Sequence, residues 1–238
     1  MRLLIDAGNT RIKWALTRGD EWLRSGALPT VRAAELSAQF AGEPSISGVW
    51  VSNVAGAAVA QALREAVVAD AWHYATARER QCGVRNGYEL PAQLGSDRWA
   101  ALIAAWNLVG TGCLVVSCGT ATTVDALSDK GEFIGGLILP GVELMQRSLC
   151  GATAQLESMQ GTYAEFPHNT ADALFSGAVQ ATCGAVERQH ALLDKAGAPV
   201  VLSGGAAEVL RARLKLPLRL EDNLVLQGLW LIARETNA

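Results

Sequence analysis

Residues 3–16, with the sequence LLIDAGNTRIKWAL, decide the fold class of this 238-residue chain. Residues 3–5 form a short apolar run that predicts a buried strand, and the alternation over residues 12–16 predicts a half-buried strand. The turn-forming residues Gly8, Asn9 and Thr10 stand between the two. Two strands joined by so tight a turn predict a β-hairpin, which differs from the strand–loop–helix unit of a Rossmann domain.

The second half of the chain repeats this plan. Residues 113–116 predict a buried strand, residues 117–120 a turn, and residues 121–127 and 133–139 two further strands, whereas residues 22–27 give the third strand of the first half. The pattern predicts other strands at 47–52 and 199–202 and helices at 31–40, 55–68, 96–109, 141–150, 172–195, 205–213 and 223–235. We therefore expect an α/β protein with a duplicated βββαβα core. Its two lobes would be residues 1–112 and 113–238, with the last helix free to pack back on the first lobe.

Composition excludes several classes of protein. The 20 basic and 23 acidic residues give a net charge of −3 without a basic run, which disfavours a nucleic-acid-binding protein. With 50% hydrophobic residues the chain is not disordered, and its five cysteines contain no CxxC pair that would indicate zinc. Too few apolar residues precede Asp6 for a signal peptide, and Asn107, Gly110 and Gly112 interrupt the most apolar segment. We therefore expect a cytoplasmic protein without a membrane span.

The first candidate site residues follow the first strand: Asp6, Ala7, Gly8, Asn9 and Thr10. A carboxylate at Asp6 can hold Mg²⁺ or its waters, and Gly8 lets the backbone approach a phosphate. Asn9 and Thr10 can donate hydrogen bonds to the same phosphate. The pattern indicates a metal-bound polyphosphate, although the same residue types also form ordinary hairpin turns.

A second turn of this type lies at residues 117–125, SCGTATTVD. Its threonines and glycine offer hydroxyl and backbone N–H groups to a phosphate, but threonine is also a good strand former. Two such turns, one in each half, favour nucleotide binding over coincidence. Gly204 and Gly205, between a predicted strand and helix, could admit an adenine ring against the backbone.

Between the two turns lies the sequence GSDR, residues 95–98, at the start of a predicted helix. Asp97 there either caps the helix and complements its dipole or accepts the proton of a substrate hydroxyl. Arg98 points in another direction on the helix and could bind an acidic or polar substrate. Tyr88 lies just upstream and could add its phenol to a substrate pocket.

In this order, the four elements resemble the type III pantothenate kinase family, whose members share D-x-G-N-T, G-x-D-R, G-T-A-x-T and late G-G motifs. The resemblance runs along the whole chain, including residues 135–141 (GGLILPG) and 222–229 (DNLVLQGL). It implies the fold of the acetate and sugar kinase/heat-shock 70/actin superfamily, with two ribonuclease H-like lobes and the nucleotide in the cleft between them. It also implies a homodimer that uses ATP and Mg²⁺ to phosphorylate the 4′-hydroxyl of pantothenate, the first step of coenzyme A biosynthesis.

The resemblance implies a role for individual residues. Asp97 is the proton acceptor, and Asp6 holds Mg²⁺ through water. The residues implied to bind ATP are Asp6, Ala7, Gly8, Asn9, Thr10, Arg11, Ile12, Lys13 and Thr120. Those implied to bind pantothenate are Tyr88, Gly95, Ser96, Asp97, Arg98 and Thr170.

One position departs from the family pattern. Many members carry an aspartate two residues before the glycine of the second phosphate motif, where it holds a monovalent cation, K⁺ or NH₄⁺. This chain has Ser117 there. A hydroxyl oxygen can coordinate K⁺ but lacks the charge that attracts it, so we expect no tight K⁺ requirement.

Two other functions stay open at the level of sequence. One is a sugar- or acetate-type kinase of the same superfamily, because a fold does not fix a substrate. Those kinases lack the arrangement of Tyr88 with Asp97 and Arg98. The other is a catalytically weak nucleotide-binding regulator, which the loss of aspartate at position 117 favours and the presence of Asp6 and Asp97 opposes.

Overall fold

The computed structural model describes residues 1–40, 42–43, 45–152, 160–193 and 195–236. Over these residues the strands are β1 (Arg2–Ala7), β2 (Arg11–Arg18), β3 (Glu21–Pro29), β4 (Gly48–Asn53), β5 (Trp72–Tyr74), β6 (Arg80–Gln81), β7 (Val84–Asn86), β8 (Cys113–Cys118), β9 (Ala121–Leu127), β10 (Glu132–Pro140), β11 (Val200–Ser203) and β12 (Leu218–Leu220). The α-helices are α1 (Ala57–Ala66), α2 (Ser96–Val109), α3 (Val142–Ala152), α4 (Thr170–Leu192), α5 (Ala207–Arg211) and α6 (Leu224–Thr236). Short 3₁₀ segments cover Thr30–Phe40 and Pro91–Gln93.

The chain forms two compact units, and α6 belongs to the first. One unit contains Met1–Leu108 together with Asn223–Ala238, and the other contains Val109–Asp222. In the first, the sheet has the strand order β3-β2-β1-β4-β5. Strands β1, β2 and β3 are antiparallel neighbours, whereas β4 and β5 continue the sheet in parallel.

The core of the first unit explains the position of Asp6. Leu3 and Ile5 are fully buried and pack in one cluster with Leu36 of the first 3₁₀ segment and Leu63 of α1. Because side chains alternate along a strand, Asp6 projects from the opposite face of β1. Each buried leucine or isoleucine contributes ~1.5–3 kcal/mol, so the register that places Asp6 on that face is strongly fixed.

The second unit repeats the architecture of the first. Five of its strands have the order β12-β11-β8-β9-β10, with β8, β9 and β10 antiparallel and β11 and β12 parallel to β8. Its core cluster joins Leu114, Val116 and Val124 of the sheet to Val179 of α4 and Leu210 of α5. The predicted α/β fold with a duplicated core is confirmed.

Some predicted elements differ from those observed. The helix predicted at 31–40 is a 3₁₀ segment, interrupted at Arg32, whose φ and ψ are −104° and 22°. The helix predicted at 172–195 begins at Thr170, because Asn169 caps it, and ends at Leu192. The sequence did not predict β5, β6, β7 or β12, which have only two or three residues each and so show no repeating pattern.

Within the described part of the chain, none of the helices combines the length and apolarity needed to cross a bilayer.

The contact between α6 and α2 depends on a glycine. A Cβ atom at Gly228 would overlap the backbone of Ala100, including its carbonyl oxygen. We expect Gly228→Ala to push the two helices apart and destabilise the protein by about 1–3 kcal/mol, which thermal unfolding would measure.

The matched control is Gly184→Ala in α4, where a Cβ atom would meet no heavy atom of the described residues within 4 Å beyond its chain neighbours and the adjacent backbone of its own helix. Alanine there should stabilise the helix by about 0.5–1 kcal/mol. Similar melting temperatures for the two variants would contradict the close packing of α6 on α2.

Candidate active site

The first predicted phosphate turn joins β1 to β2. The backbone N–H of Gly8 donates to the carbonyl of Arg11 at 3.1 Å, which closes the hairpin. Thr30, directly after β3, supports the turn through two hydrogen bonds. Its hydroxyl donates to the Gly8 carbonyl at 2.7 Å, and its N–H donates to the Thr10 carbonyl at 3.1 Å. Asn9 and Thr10 are exposed at the tip. The turn is therefore held by its buried side and presents its polar side chains outward.

Asp6 lies between two polar neighbours near the carboxyl end of β1. The sheet register pairs it with Lys13 on β2 and with Ser52 on β4. Ser52 is fully buried, and its hydroxyl lies 2.9 Å from that of Ser96, the first residue of α2. This contact fixes the first turn of α2, which carries Asp97, to the strand beside Asp6.

The environment of Asp6 favours its protonated form. Burial is the main cause, and the negative charge of Asp97 adds to it, while the charge of Lys13 acts in the opposite direction. Together these effects raise the pKa of Asp6 from 3.8 to about 7. The two acids are therefore electrostatically coupled, and a cation beside them would be favoured at neutral pH.

The start of α2 also fixes the Asp97 carboxylate. Asp97 Oδ1 accepts the backbone N–H of Arg98 at 2.8 Å, at the positive end of the helix dipole. A Cβ atom at Gly95 would lie 2.6 Å from this oxygen, so a larger residue there would displace the carboxylate. In the sequence GSDR, Gly95 therefore leaves room for the Asp97 carboxylate, which the Arg98 N–H holds in place.

Arg98 and Tyr88 contact each other and form another part of the candidate site, the Tyr88–Arg98 arm. The guanidinium Nη1 donates to the phenol oxygen of Tyr88 at 3.0 Å, and the guanidinium carbon lies 5.7 Å from the ring centroid. Arg98 is buried although it carries a charge. A buried guanidinium beside a phenol is suited to bind an acidic or polar group of a substrate.

In the second unit, three sequence motifs meet at the second phosphate turn. The N–H of Gly141 donates to the Thr120 carbonyl at 2.8 Å, and a Cβ atom at Gly141 would overlap the carbonyl of Gly119. Gly204 has a φ of +100°, and a Cβ atom there would likewise overlap the backbone of Cys118. The turn is therefore enclosed by backbone on two sides, and only glycine fits at either contact.

The predicted site residues divide between the units. The structure brings Asp6, Lys13, Ser96, Asp97, Tyr88 and Arg98 into the first unit, and Ser117, Thr120 and Thr170 into the second. Thr170 is the exposed first residue of α4, next to the cap Asn169. Thr30 and Ser52 contact the site residues through their hydroxyl groups but belong to no sequence motif, so the sequence did not predict their role.

Solved structures define the class to which this fold belongs. A Baf family protein from Campylobacter jejuni has a TM-score of 0.64 at 20% identity, and the match covers 99% of this chain and 98% of that one. The inorganic polyphosphate/ATP-glucomannokinase from Arthrobacter sp. strain KM has a TM-score of 0.51 at 15% identity over 98% of each chain. The fold is that of the acetate and sugar kinase/heat-shock 70/actin superfamily. At 20% and 15% identity, these structures show the fold alone.

The chain belongs to the type III pantothenate kinase family, whose family model matches residues 2–191. A type III pantothenate kinase from Aromatoleum aromaticum is 51% identical over 243 residues, covering 100% of both chains. Another, from Nitrosospira multiformis, is 50% identical and covers 99% of this chain and 92% of its own length.

The raised pKa of Asp6 predicts a pH-dependent effect of Asp6→Asn on stability. Because the folded pKa of about 7 exceeds the ordinary 3.8, ionised Asp6 destabilises the fold, and this cost grows between pH 4 and 7. At about 1.4 kcal/mol per pKa unit, we expect Asp6→Asn to stabilise the protein without Mg²⁺ and nucleotide by about 2–4 kcal/mol at pH 8.

Denaturant unfolding at several pH values measures this difference, which should shrink towards zero near pH 4. The control is Asp70→Asn, which removes an exposed acid of the same unit and should change little. A stabilisation that is independent of pH would show that Asp6 is not held in its protonated form.

Proposed function

We propose that this chain transfers the γ-phosphoryl group of ATP to the 4′-hydroxyl of pantothenate, with Asp97 as the base. Membership of the type III pantothenate kinase family supports the reaction. The observation that carries the residue assignment is the coupling of Asp6 and Asp97, with the arm of Arg98 and Tyr88 on the same helix start. Mass detection of 4′-phosphopantothenate formed from ATP, Mg²⁺ and pantothenate is the primary test.

Asp97 is suited to orient and deprotonate the attacking hydroxyl. One of its oxygens accepts the Arg98 N–H, which fixes the carboxylate, and the other oxygen would accept the hydrogen bond of the substrate hydroxyl. Phosphoryl transfer depends mainly on positioning and on charge stabilisation, so a fixed carboxylate contributes chiefly by holding the hydroxyl in line.

The first turn supplies the groups that suit the phosphates of ATP. Residues 6–13 would bind the nucleotide through the exposed tip of the turn at Asn9 and Thr10 and through Lys13, and Thr120 would add a hydroxyl from the second turn. Among the described residues, no group of three or more His, Cys, Asp or Glu side chains could enclose a metal ion. The Asp6 carboxylate fits Mg²⁺, which keeps its waters and takes phosphate oxygens as ligands. Bound there through water, Mg²⁺ would neutralise charge on the phosphates.

The Tyr88–Arg98 arm supplies the groups that suit pantothenate. The buried guanidinium of Arg98 and the phenol of Tyr88 would bind its polar groups, beside the start of α2 at Gly95 and Ser96. Thr170 would add a further hydroxyl from the exposed start of α4. In this assignment Asp97 adjoins the group that binds the substrate, as a base must.

We expect Asp97→Asn to lower kcat by about 10²-fold or more, because the amide keeps the shape of the side chain but cannot accept the proton. Steady-state kinetics measures kcat, and calorimetry should show that MgATP still binds. Asp70→Asn is again the control and should keep wild-type turnover. Full turnover of Asp97→Asn would rule out Asp97 as the base.

Ser117 and Thr123 offer neutral oxygens to a monovalent cation. Ser117 on β8 pairs with Thr123 on β9, whose buried hydroxyl has no hydrogen-bond partner among the residues described. These donors fit K⁺ or NH₄⁺ but supply no charge, so we propose that the cation binds weakly and is not essential.

The expected result is that turnover changes little when K⁺ is replaced by a bulky organic cation at equal concentration. Ser117→Asp should make turnover depend on K⁺, since the new carboxylate would repel phosphate unless a cation neutralises it. Loss of wild-type turnover without K⁺ would contradict the proposal.

We further propose that the protein is a homodimer that acts in the cytoplasm. In the second unit, Ile134 and Ile138 of β10 and Leu149 of α3 are exposed apolar side chains of the kind that dimer interfaces bury. A cavity of about 380 Å³ opens between α3 and α4, and Leu149 and Thr170 are among its lining residues. A second copy that covered this surface would also cover the start of α4, where Thr170 lies.

A further inference from the structure

The segment that carries Tyr88 starts from a firmly anchored hairpin. Strands β6 and β7 pair antiparallel, and the buried Gln81 of β6 accepts the indole N–H of Trp99 in α2 at 3.0 Å. The Cys82 N–H at the hairpin tip donates to the Glu235 carboxylate of α6 at 2.8 Å. Tyr88 therefore follows, two residues after β7, a hairpin that is fixed to α2 and α6 of its own unit.

Asn86, the last residue of β7, closes the loop that follows. Only 6% of it is exposed, and its side-chain oxygen accepts the N–H of Tyr88 at 3.0 Å. Its side-chain amide donates to the carbonyl of Pro91 at 3.2 Å, and its backbone N–H donates to Glu79 at 2.9 Å. One side chain thus fixes the backbone of Tyr88 and ties together the two ends of residues 86–91.

The orientation of Tyr88 matters because its phenol meets Arg98. The two side chains are joined by the 3.0 Å hydrogen bond and by the approach of the guanidinium to the ring. An asparagine that hydrogen-bonds the N–H two residues on restricts the backbone before any ligand arrives. Ordering a side chain in advance lowers the entropy lost when a ligand binds.

We propose that Asn86 is a positioning residue, which acts through Tyr88 to hold the Tyr88–Arg98 arm ready and so sets the affinity for pantothenate. The inference rests on the proposed function, which gives this arm to pantothenate. Asn86 does not take part in the proton transfer or in nucleotide binding. Its loss should therefore raise the KM for pantothenate and leave kcat and the KM for MgATP near their wild-type values.

The test compares Asn86→Ala and Asn86→Ser with the wild-type enzyme. Losing the buried hydrogen bonds should raise the KM for pantothenate about tenfold in Asn86→Ala. The KM of Asn86→Ser for pantothenate should lie between those of the wild type and Asn86→Ala. A serine hydroxyl accepts the same N–H more weakly and cannot reach the Pro91 carbonyl. A fall in kcat with an unchanged KM for pantothenate would overturn the proposal.

A double-mutant cycle with Tyr88→Phe separates a role through Tyr88 from a general loss of stability. If Asn86 acts through the phenol, Asn86→Ala should add little to the effect of Tyr88→Phe on the KM for pantothenate. Fully additive effects would overturn the proposal. Ser128→Ala, which removes the acceptor of two N–H groups in the β9–β10 turn at 3.2 and 3.1 Å, should lower stability without changing that KM.

Hydrogen exchange gives a readout that does not depend on activity. In Asn86→Ala the amides of residues 87–91 should exchange faster than in the wild type, while those of α2 stay protected. Should the wild-type protein fail to phosphorylate pantothenate, the proposed function fails, and this exchange pattern alone decides whether Asn86 positions Tyr88. Unchanged exchange over residues 87–91 would overturn the inference.

Discussion

The partial burial of one carboxylate, that of Asp6, is the constraint around which the candidate site is organised. The sheet places this acid on β1 opposite the face that forms the core, so it cannot leave without breaking the register. A half-buried acid next to Asp97 is unfavourable when ionised, and Lys13 offsets this only in part. The site thus favours positive charge, which the proposed Mg²⁺ would provide.

Neutral hydrogen bonds hold these charged groups in place. The hydroxyl contact of Ser52 with Ser96 joins the strand that flanks Asp6 to the helix that carries Asp97. Thr30 holds the first turn in place through hydrogen bonds to the carbonyls of Gly8 and Thr10. Such contacts position the elements that carry Asp6 and Asp97 without adding charge beside the two carboxylates.

The sequence predicted the parts of the molecule that follow from periodicity or from local turn chemistry. The hairpin at residues 3–16 and the matching strands of the second half are confirmed, because alternation and turn residues determine them. It could not predict Ser52 or Thr30, since a single hydroxyl leaves no pattern in the chain. Nor could it show that Gly141 and Gly204 enclose the second turn, because that contact depends on packing between residues far apart in sequence.

The place of α6 has a consequence for how the chain is made. The helix contacts β1 and β4, and Gly228 seats it on α2, although the whole second unit separates it from them in sequence. During synthesis, β1, β4 and α2 are made long before α6, and they lack this packing partner until the chain has grown past residue 228. The second unit can complete its sheet earlier, so the unit that begins the sequence is the last to be finished.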